Sequence, residues 1–274
     1  STTPIAELSN GTHTWEIRAV DNVGNVRSSN LLNTLKVDCI PPGSLDYGLL
    51  LDEDQYQRVR VQHSSSIGFN NQYNMTIEAW VKFTQDAAST NTYGEYISTI
   101  AQKAYSYTLI IFKEVAQAGP TDSCKIRFRT RNSADIIVSN SSIYKNEWNH
   151  IAVTTDGSTI KLYINGLLDN SIPQNYGIAS SETHPLYIGA SWNVNPTQIY
   201  GYFDGIINEL RIWNTALSQQ EIINNMHKTL ETSCYDNLKG YWKFKEIVNT
   251  DQILDLSGNN NTGTLSYNPV LQQV

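Results

Sequence analysis

Charge is what this chain has least of. Asp, Glu, Lys and Arg make up 16% of its 274 residues, against about 25% in an average globular domain. Asn, Ser, Thr and Tyr supply the polar surface instead, a composition that fits an extracellular β protein. The balance is acidic, with a formal net charge of -7. No run of like charges and no Arg/Lys cluster appears along the sequence. Nucleic acid is therefore not an expected partner, because phosphate binding rests on a basic patch. Long hydrophobic runs are missing too: none approaches the ~18 residues of a membrane span, so no membrane insertion is expected. Three cysteines, Cys39, Cys124 and Cys234, have no metal-ligand spacing. An odd count permits one disulfide; a Cys124–Cys234 pair and three unpaired thiols both stay open. There is no G-x-S-x-G, no H-E-x-x-H and no Gly-rich phosphate loop. Strands do not alternate with helices, which excludes a doubly wound nucleotide-binding fold.

What is present is strand after strand. THTWEIRAVD alternates, with His13, Trp15, Ile17 and Ala19 on one face and Thr14, Glu16 and Arg18 on the other. DNVGNV follows as a turn and LLNTLKVD as a second strand. Two strands alone are marginal in water, and the opening STTPIAELSNG reads as the middle of a module. Further domains of the same polypeptide are expected upstream. CIPPG reads as a linker. From there YGLLL, QYQRVRVQ, MTIEAWVKF, EYISTIAQK, YSYTLIIFK, KIRFRTR, IIVS, HIAVTT, TIKLYI, PLYIGAS, INELRIW and GYWKF all read as β, separated by TDGST, INGLLDN and LSGNNNTG. Many short strands at this spacing indicate a sandwich or barrel. Asn165-Gly166 suits a type I′ hairpin turn. One helix is predicted in SQQEIINNMH, with Ser218 and Glu221 forming a capping box. The expected divisions are a partial module over 1–40, a linker over 41–46, the main domain over 47–268 and a tail over 269–274.

LSNGTHTWEIRAVDNVGN resembles the last hairpin of bacterial immunoglobulin-like or fibronectin-like modules, through Ala19, Asp21, Gly24 and Asn25. Five later stretches occur in family order: MTIEAWVKF, EWNHIAVTTDGSTIKLYINGLL, LYIGAS, FDGIINELRIWNTALSQQEI and DLSGNNNTGTL. Together they resemble the laminin G-like, concanavalin A-like jellyroll family in its pentraxin-related branch. The resemblance implies an all-β fold, a concanavalin A-like jellyroll sandwich of two antiparallel sheets with one short helix, beside an N-terminal β-hairpin fragment. It also implies ligands on a concave face or on rim loops.

The same fold hosts retaining glycosidases, whose two carboxylates stand ~5–5.5 Å apart. The one-strand acid pattern of those enzymes is absent; Asp52 and Asp54 alone have i, i+2 spacing, at a strand end. His150 reads as structural. The chain is expected not to be an enzyme, though it fits an accessory region of a glycosidase. The resemblance implies structural Ca²⁺, with Asn208 standing where relatives keep an aspartate, Asp52 as partner, and Asp204 and Asp255 as alternatives. These acids equally read as turn caps. For a sugar, ASWNVNPTQIYGYF offers Trp192, Asn193, Asn195, Gln198, Tyr200 and Tyr202, and NTYGEY adds Tyr93 and Tyr96. Trp80, Trp148 and Trp213 read as core packing, although Trp213 is out of step with Leu210 and Ile212. The expected function is an extracellular, secreted or surface binding module for glycan or protein; the alternative is a structural, protein-interacting spacer.

Overall fold

The computed structural model describes residues 11–15, 18–20, 26–28 and 33–37, and from residue 47 onward all but 70–71, 85–94, 115–122, 131–134, 180–182, 194–197, 231–234 and 246. The chain divides into two units, Ser1–Cys39 and Ile40–Val274. In the first, β1 (Gly11–Trp15) pairs antiparallel with β4 (Asn33–Val37), and β2 (Arg18–Val20) with β3 (Val26–Ser28). The two strands read from the sequence are thus seen as two nested pairs. The expected linker, 41–46, lies outside the described residues.

The second unit opens with β5 (Tyr47–Leu51), β6 (Arg58–Val61), β7 (Asn74–Phe83), β8 (Glu95–Lys103), β9 (Tyr107–Glu114) and β10 (Ser123–Thr130). It continues through β11 (Asp135–Val138), β12 (Ile143–Tyr144), β13 (Asn149–Asp156), β14 (Thr159–Ile164) and β15 (Leu167–Pro173). Then come β16 (Leu186–Ile188), β17 (Ser191–Trp192), β18 (Ile199–Tyr200), β19 (Gly205–Trp213) and the helix α1 (Gln219–Asn225). The last elements are β20 (Leu238–Trp242), β21 (Ile247–Val248), β22 (Gln252–Ile253), β23 (Gly263–Ser266) and β24 (Val270–Gln273).

Two antiparallel sheets carry the unit. The larger runs β11-β10-β9-β8-β16-β6-β23-β22-β21, with β12 beside β10. The smaller runs β15-β14-β13-β7-β19-β5-β24, with β20 also on β19. Their inner faces share one core: Leu49, Ile77, Val81, Val153, Leu162 and Ile207 from the smaller sheet meet Val59, Leu109, Ile126, Phe128 and Ile188 from the larger. Each such side chain stabilises the fold by about 1.5–3 kcal/mol on burial. One boundary differs from expectation. Residues 269–274 are not a tail: β24 pairs with β5, Val270 opposite Leu50. VLQQ carries no alternation to betray it, because an exposed edge strand has no face that must be apolar.

Interior strands of the two sheets differ in how they are covered. In β10, SCKIRFRT, Cys124, Ile126, Phe128 and Thr130 are buried while Ser123, Lys125, Arg127 and Arg129 are partly exposed, the pattern of a strand with one covered face. In β19, GIINELRIW, every residue is buried. Trp213 therefore does not break the alternation; it sits on the opposite face from Leu210 and Ile212, and both faces are covered. A bulge falls between Asn208 and Arg211. There Glu209 takes a φ of 51°, a left-handed conformation unusual for a residue other than glycine. The Asn165-Gly166 turn has positive φ at both positions, 52° and 77°, as a type I′ turn requires. The helix begins as predicted: Ser218 Oγ accepts from the Glu221 backbone N–H while the Glu221 carboxylate accepts from the Ser218 N–H.

Candidate functional site

The outer face of the larger sheet is set by register. Thr264, Arg60, Tyr187, Gln102, Thr108 and Arg129 are successive cross-strand partners on β23, β6, β16, β8, β9 and β10. At ~4.8 Å per strand, Arg60 and Arg129 stand about 19 Å apart along the sheet. Arg58 lies one outward position along β6 from Arg60, and Arg127 and Lys125 follow Arg129 along β10. The middle of the row, Tyr187, Gln102 and Thr108, is buried. The β17–β18 ribbon crosses it: the Trp192 N–H donates to Gln102 Oε1 at 2.5 Å, and Ser191 and Thr99 hydroxyls meet at 2.7 Å.

Two ring clusters flank that ribbon. In the first, His184 lies 4.8 Å from Trp192 and 4.9 Å from Tyr105, and Tyr105 lies 6.3 Å from Trp192. All three are half-buried. Lys103 sits behind them, its Nζ donating to the His184 carbonyl at 2.7 Å and meeting His63 Nδ1 at 3.1 Å. Burial lowers the Lys103 amine to about 8. Burial and the nearby Lys103 charge hold His184 below the usual imidazole value, so its ring is neutral at pH 7. In the second cluster, Tyr56 packs on Tyr202 at 5.3 Å and on Tyr267 at 6.5 Å. The Arg58 guanidinium lies 5.2 Å from the Tyr267 ring centre and 5.9 Å from that of Tyr202, a cation–π geometry.

The residues predicted from sequence are distributed unevenly over this surface. Trp192 and Tyr202 stand in the first and second clusters. Tyr200 pairs with Ser191 across the ribbon, so alternation places it on the side opposite Trp192. Asn193 is exposed at the ribbon's end. Tyr96 lies opposite Lys113, one residue out of step with the outward-facing Ile97. Tyr93 and Asn195 lie outside the described residues.

Each of the four candidate metal ligands has hydrogen-bond partners within the protein. Asp52 Oδ1 accepts the Asp54 N–H at 2.9 Å. Asp204 accepts from the Thr84 hydroxyl. The Asp255 carboxylate accepts the N–H groups of Tyr241, Ser257 and Asn261 and the Ser257 hydroxyl. Asn208 is buried in mid-strand, its Oδ1 accepting the Glu209 N–H at 2.8 Å. Among the described residues no three His, Cys, Asp or Glu side chains group to hold a metal ion.

Residues 53–223, well over half of the chain, match the family model described as the concanavalin A-like lectin/glucanases superfamily. The chain belongs to that family. A candidate carbohydrate-binding protein from Bacteroides ovatus has the same fold, with a TM-score of 0.62 and 15% identity, covering 98% of this chain and 70% of that one. A heptameric SAP-like pentraxin from Limulus polyphemus aligns with a TM-score of 0.56 and 9% identity, over 84% of this chain and 96% of its own. Mouse pappalysin-1 is 30% identical over 121 residues, which is 39% of this chain and 7% of that protein. The chain thus spans a small fraction of that curated relative's length.

The stretch FDGIINELRIW belongs to the covered outer face of the smaller sheet. There Arg211 donates to Glu209 and sits 3.5 Å from Glu78; its other N–H groups reach the carbonyls of Asn225 and Lys228. Glu78 also accepts from the Trp213 indole at 3.0 Å and lies 3.4 Å from His150 Nε2. Tyr241 donates to Glu209 at 2.6 Å. Burial raises the Glu78 carboxyl, but the His150 contact and the Arg211 charge outweigh it and hold it below the usual value. His150 is buried here, its ring centre 5.3 Å from that of Trp80. Trp80 and Trp213 are buried here, on the outer face beneath the helix segment, and not between the sheets; the Trp80 indole donates to the Met226 carbonyl at 2.7 Å.

Tyr56, Arg58, Arg60, Tyr105, His184 and Tyr267 were not singled out by sequence. The arginines had a signal, the alternation of RVRV. The others come from separate loops whose meeting no local pattern encodes.

Proposed function

We propose that this chain is a non-catalytic glycan-binding module that takes its ligand on the outer face of the larger sheet. The observation that carries this is the trio of Trp192, His184 and Tyr105, three half-buried, uncharged rings from separate segments gathered at one surface. Ring faces stack against the apolar side of a sugar, while neighbouring amides, hydroxyls and guanidinium groups satisfy its hydroxyls. Carbohydrate binding in the name of the Bacteroides ovatus neighbour supports the reading. An extracellular setting, as part of a larger secreted or surface protein, accords with the sparse charge and with the family. No helix among the described residues is long and apolar enough to cross a membrane.

A broad glycan array tests it. At least one oligosaccharide class should bind, and Trp192→Ala should weaken that binding about tenfold or more while leaving the thermal midpoint nearly unchanged. An array with no ligand would overturn the proposal in favour of a structural or protein-interacting spacer. Release of reducing sugar from the bound glycan would overturn the non-catalytic part.

A further inference from the structure

We infer that the ligand is an acidic oligosaccharide, and that the Tyr56–Arg58–Arg60–Tyr202–Tyr267 corner of the face reads its anionic group. This rests on the glycan-binding reading above and adds a substrate class to it. Tyr56 and Tyr267 are 57% and 62% exposed, among the most exposed aromatic side chains described. Both are held with left-handed backbones, φ 57° and 62°, a conformation that bulky side chains rarely adopt and that tends to persist at functional sites. Gln57 fixes the two loops against each other. Its amide donates to the carbonyls of Tyr267 and Asn268 at 3.1 and 3.2 Å, and its Oε1 accepts the Asp52 N–H at 3.0 Å.

Arg58 is oriented within this frame. Its Nη1 donates to the Tyr56 carbonyl at 2.9 Å, its guanidinium lies within 6 Å of two tyrosine ring centres, and its buried Nε has no hydrogen-bond partner. Arg60 is exposed one outward position along the strand. Among the described residues neither arginine makes an ion pair, although the chain carries a net charge of -7. A guanidinium held in place without an ion pair, with a second, exposed one beside it, is suited to a planar or oxygen-rich anion. Exposed tyrosine faces on either side are suited to the ring that carries it. A carboxylate and a sulfate share this chemistry.

Calorimetric titration of the 274-residue chain with matched pairs tests the inference: oligogalacturonate and its methyl ester, sialyllactose and lactose, carrageenan oligosaccharide and its desulfated form. In at least one pair the acidic member should bind about tenfold or more tighter than its neutral twin, the scale of a charge-assisted hydrogen bond. The responding pair distinguishes carboxylate from sulfate. Arg58→Gln and Arg60→Gln should bring the acidic ligand down to its neutral twin without weakening the twin, and Arg58→Lys should restore only part of the gap. Arg60 is exposed, so its variant folds and keeps the test decisive. Equal binding of acidic and neutral twins would overturn the acidic inference and leave glycan binding intact. An acid preference that survives both glutamine variants would also overturn it. Failure of every oligosaccharide here and on the array would overturn the glycan reading itself.

Discussion

The sandwich has two outward faces, and both carry arginines at strand positions pointing away from the core. On the smaller sheet Arg211 is 1% exposed, closed in by the α1 segment, with Glu78 and Glu209 as charge partners. On the larger sheet Arg60 is exposed and Arg129 half-buried, with no ion pair for either among the described residues. The residue is the same on both faces; what lies above it differs. A covered face must satisfy its charges from within the protein, since an unpaired buried charge is prohibitive. An uncovered face can keep its charges for something that arrives from solution. Alternation in a sequence says which residues leave the core. It does not say whether they reach water.

The largest effect should come from breaking the covered network. Arg211→Ala leaves Glu78 and Glu209 buried without their cation and should cost about 3–5 kcal/mol, read as a lower midpoint in urea denaturation. Next in size is the acid response. The Glu78 carboxyl is held below its ordinary value of 4.5, so the native state resists protonation that the unfolded chain accepts. That stability is complete above about pH 4.5 and is lost as pH falls through the lower native value. Urea midpoints of Glu78→Gln should be lower at pH 7 and flatter across this acid range. The alkaline response belongs to the larger sheet. Lys103 ionises near 8 when folded against 10.5 when free. Here the native state gives up its proton first, so stability should rise with pH between about 8 and 10.5 and lie lowest below 8. Lys103→Met should remove that slope. The smallest effect closes the comparison: Arg60→Ala should change stability by less than about 0.5 kcal/mol, measured in the same urea series as Arg211→Ala. A large loss at Arg60 would mean that the two faces are not different in kind.

Most of the framework was legible. MTIEAWVKF, KIRFRTR and TIKLYI announce strands because one or both faces must be apolar, and Ser218 with Glu221 announces the helix start because both capping partners are local. The cationic surface was only half legible: KIRFRTR sets Lys125, Arg127, Arg129 and Arg131 at alternate positions, but it reads first as a strand. Arg58 and Arg60 lie far along the chain from Lys125, Arg127 and Arg129, and only pairing through β16, β8 and β9 puts them on one face. Trp192 was singled out because an aromatic in a polar segment is conspicuous. His184 and Tyr105 were not, because they reach Trp192 from other loops. Tyr56 and Tyr267 carry no turn signal either: left-handed backbone is ordinarily read from glycine or asparagine, and here tyrosine occupies it.

The amide of Gln57 bonds a carbonyl 210 positions further along the chain. In a polypeptide made from its amino end, Arg58 emerges early and waits for Tyr267 until synthesis of the module is nearly finished. The recognition corner therefore cannot exist on a nascent or truncated fragment. Ligand affinity becomes a certificate of completion, acquired at the moment when the two ends of the module are stitched together.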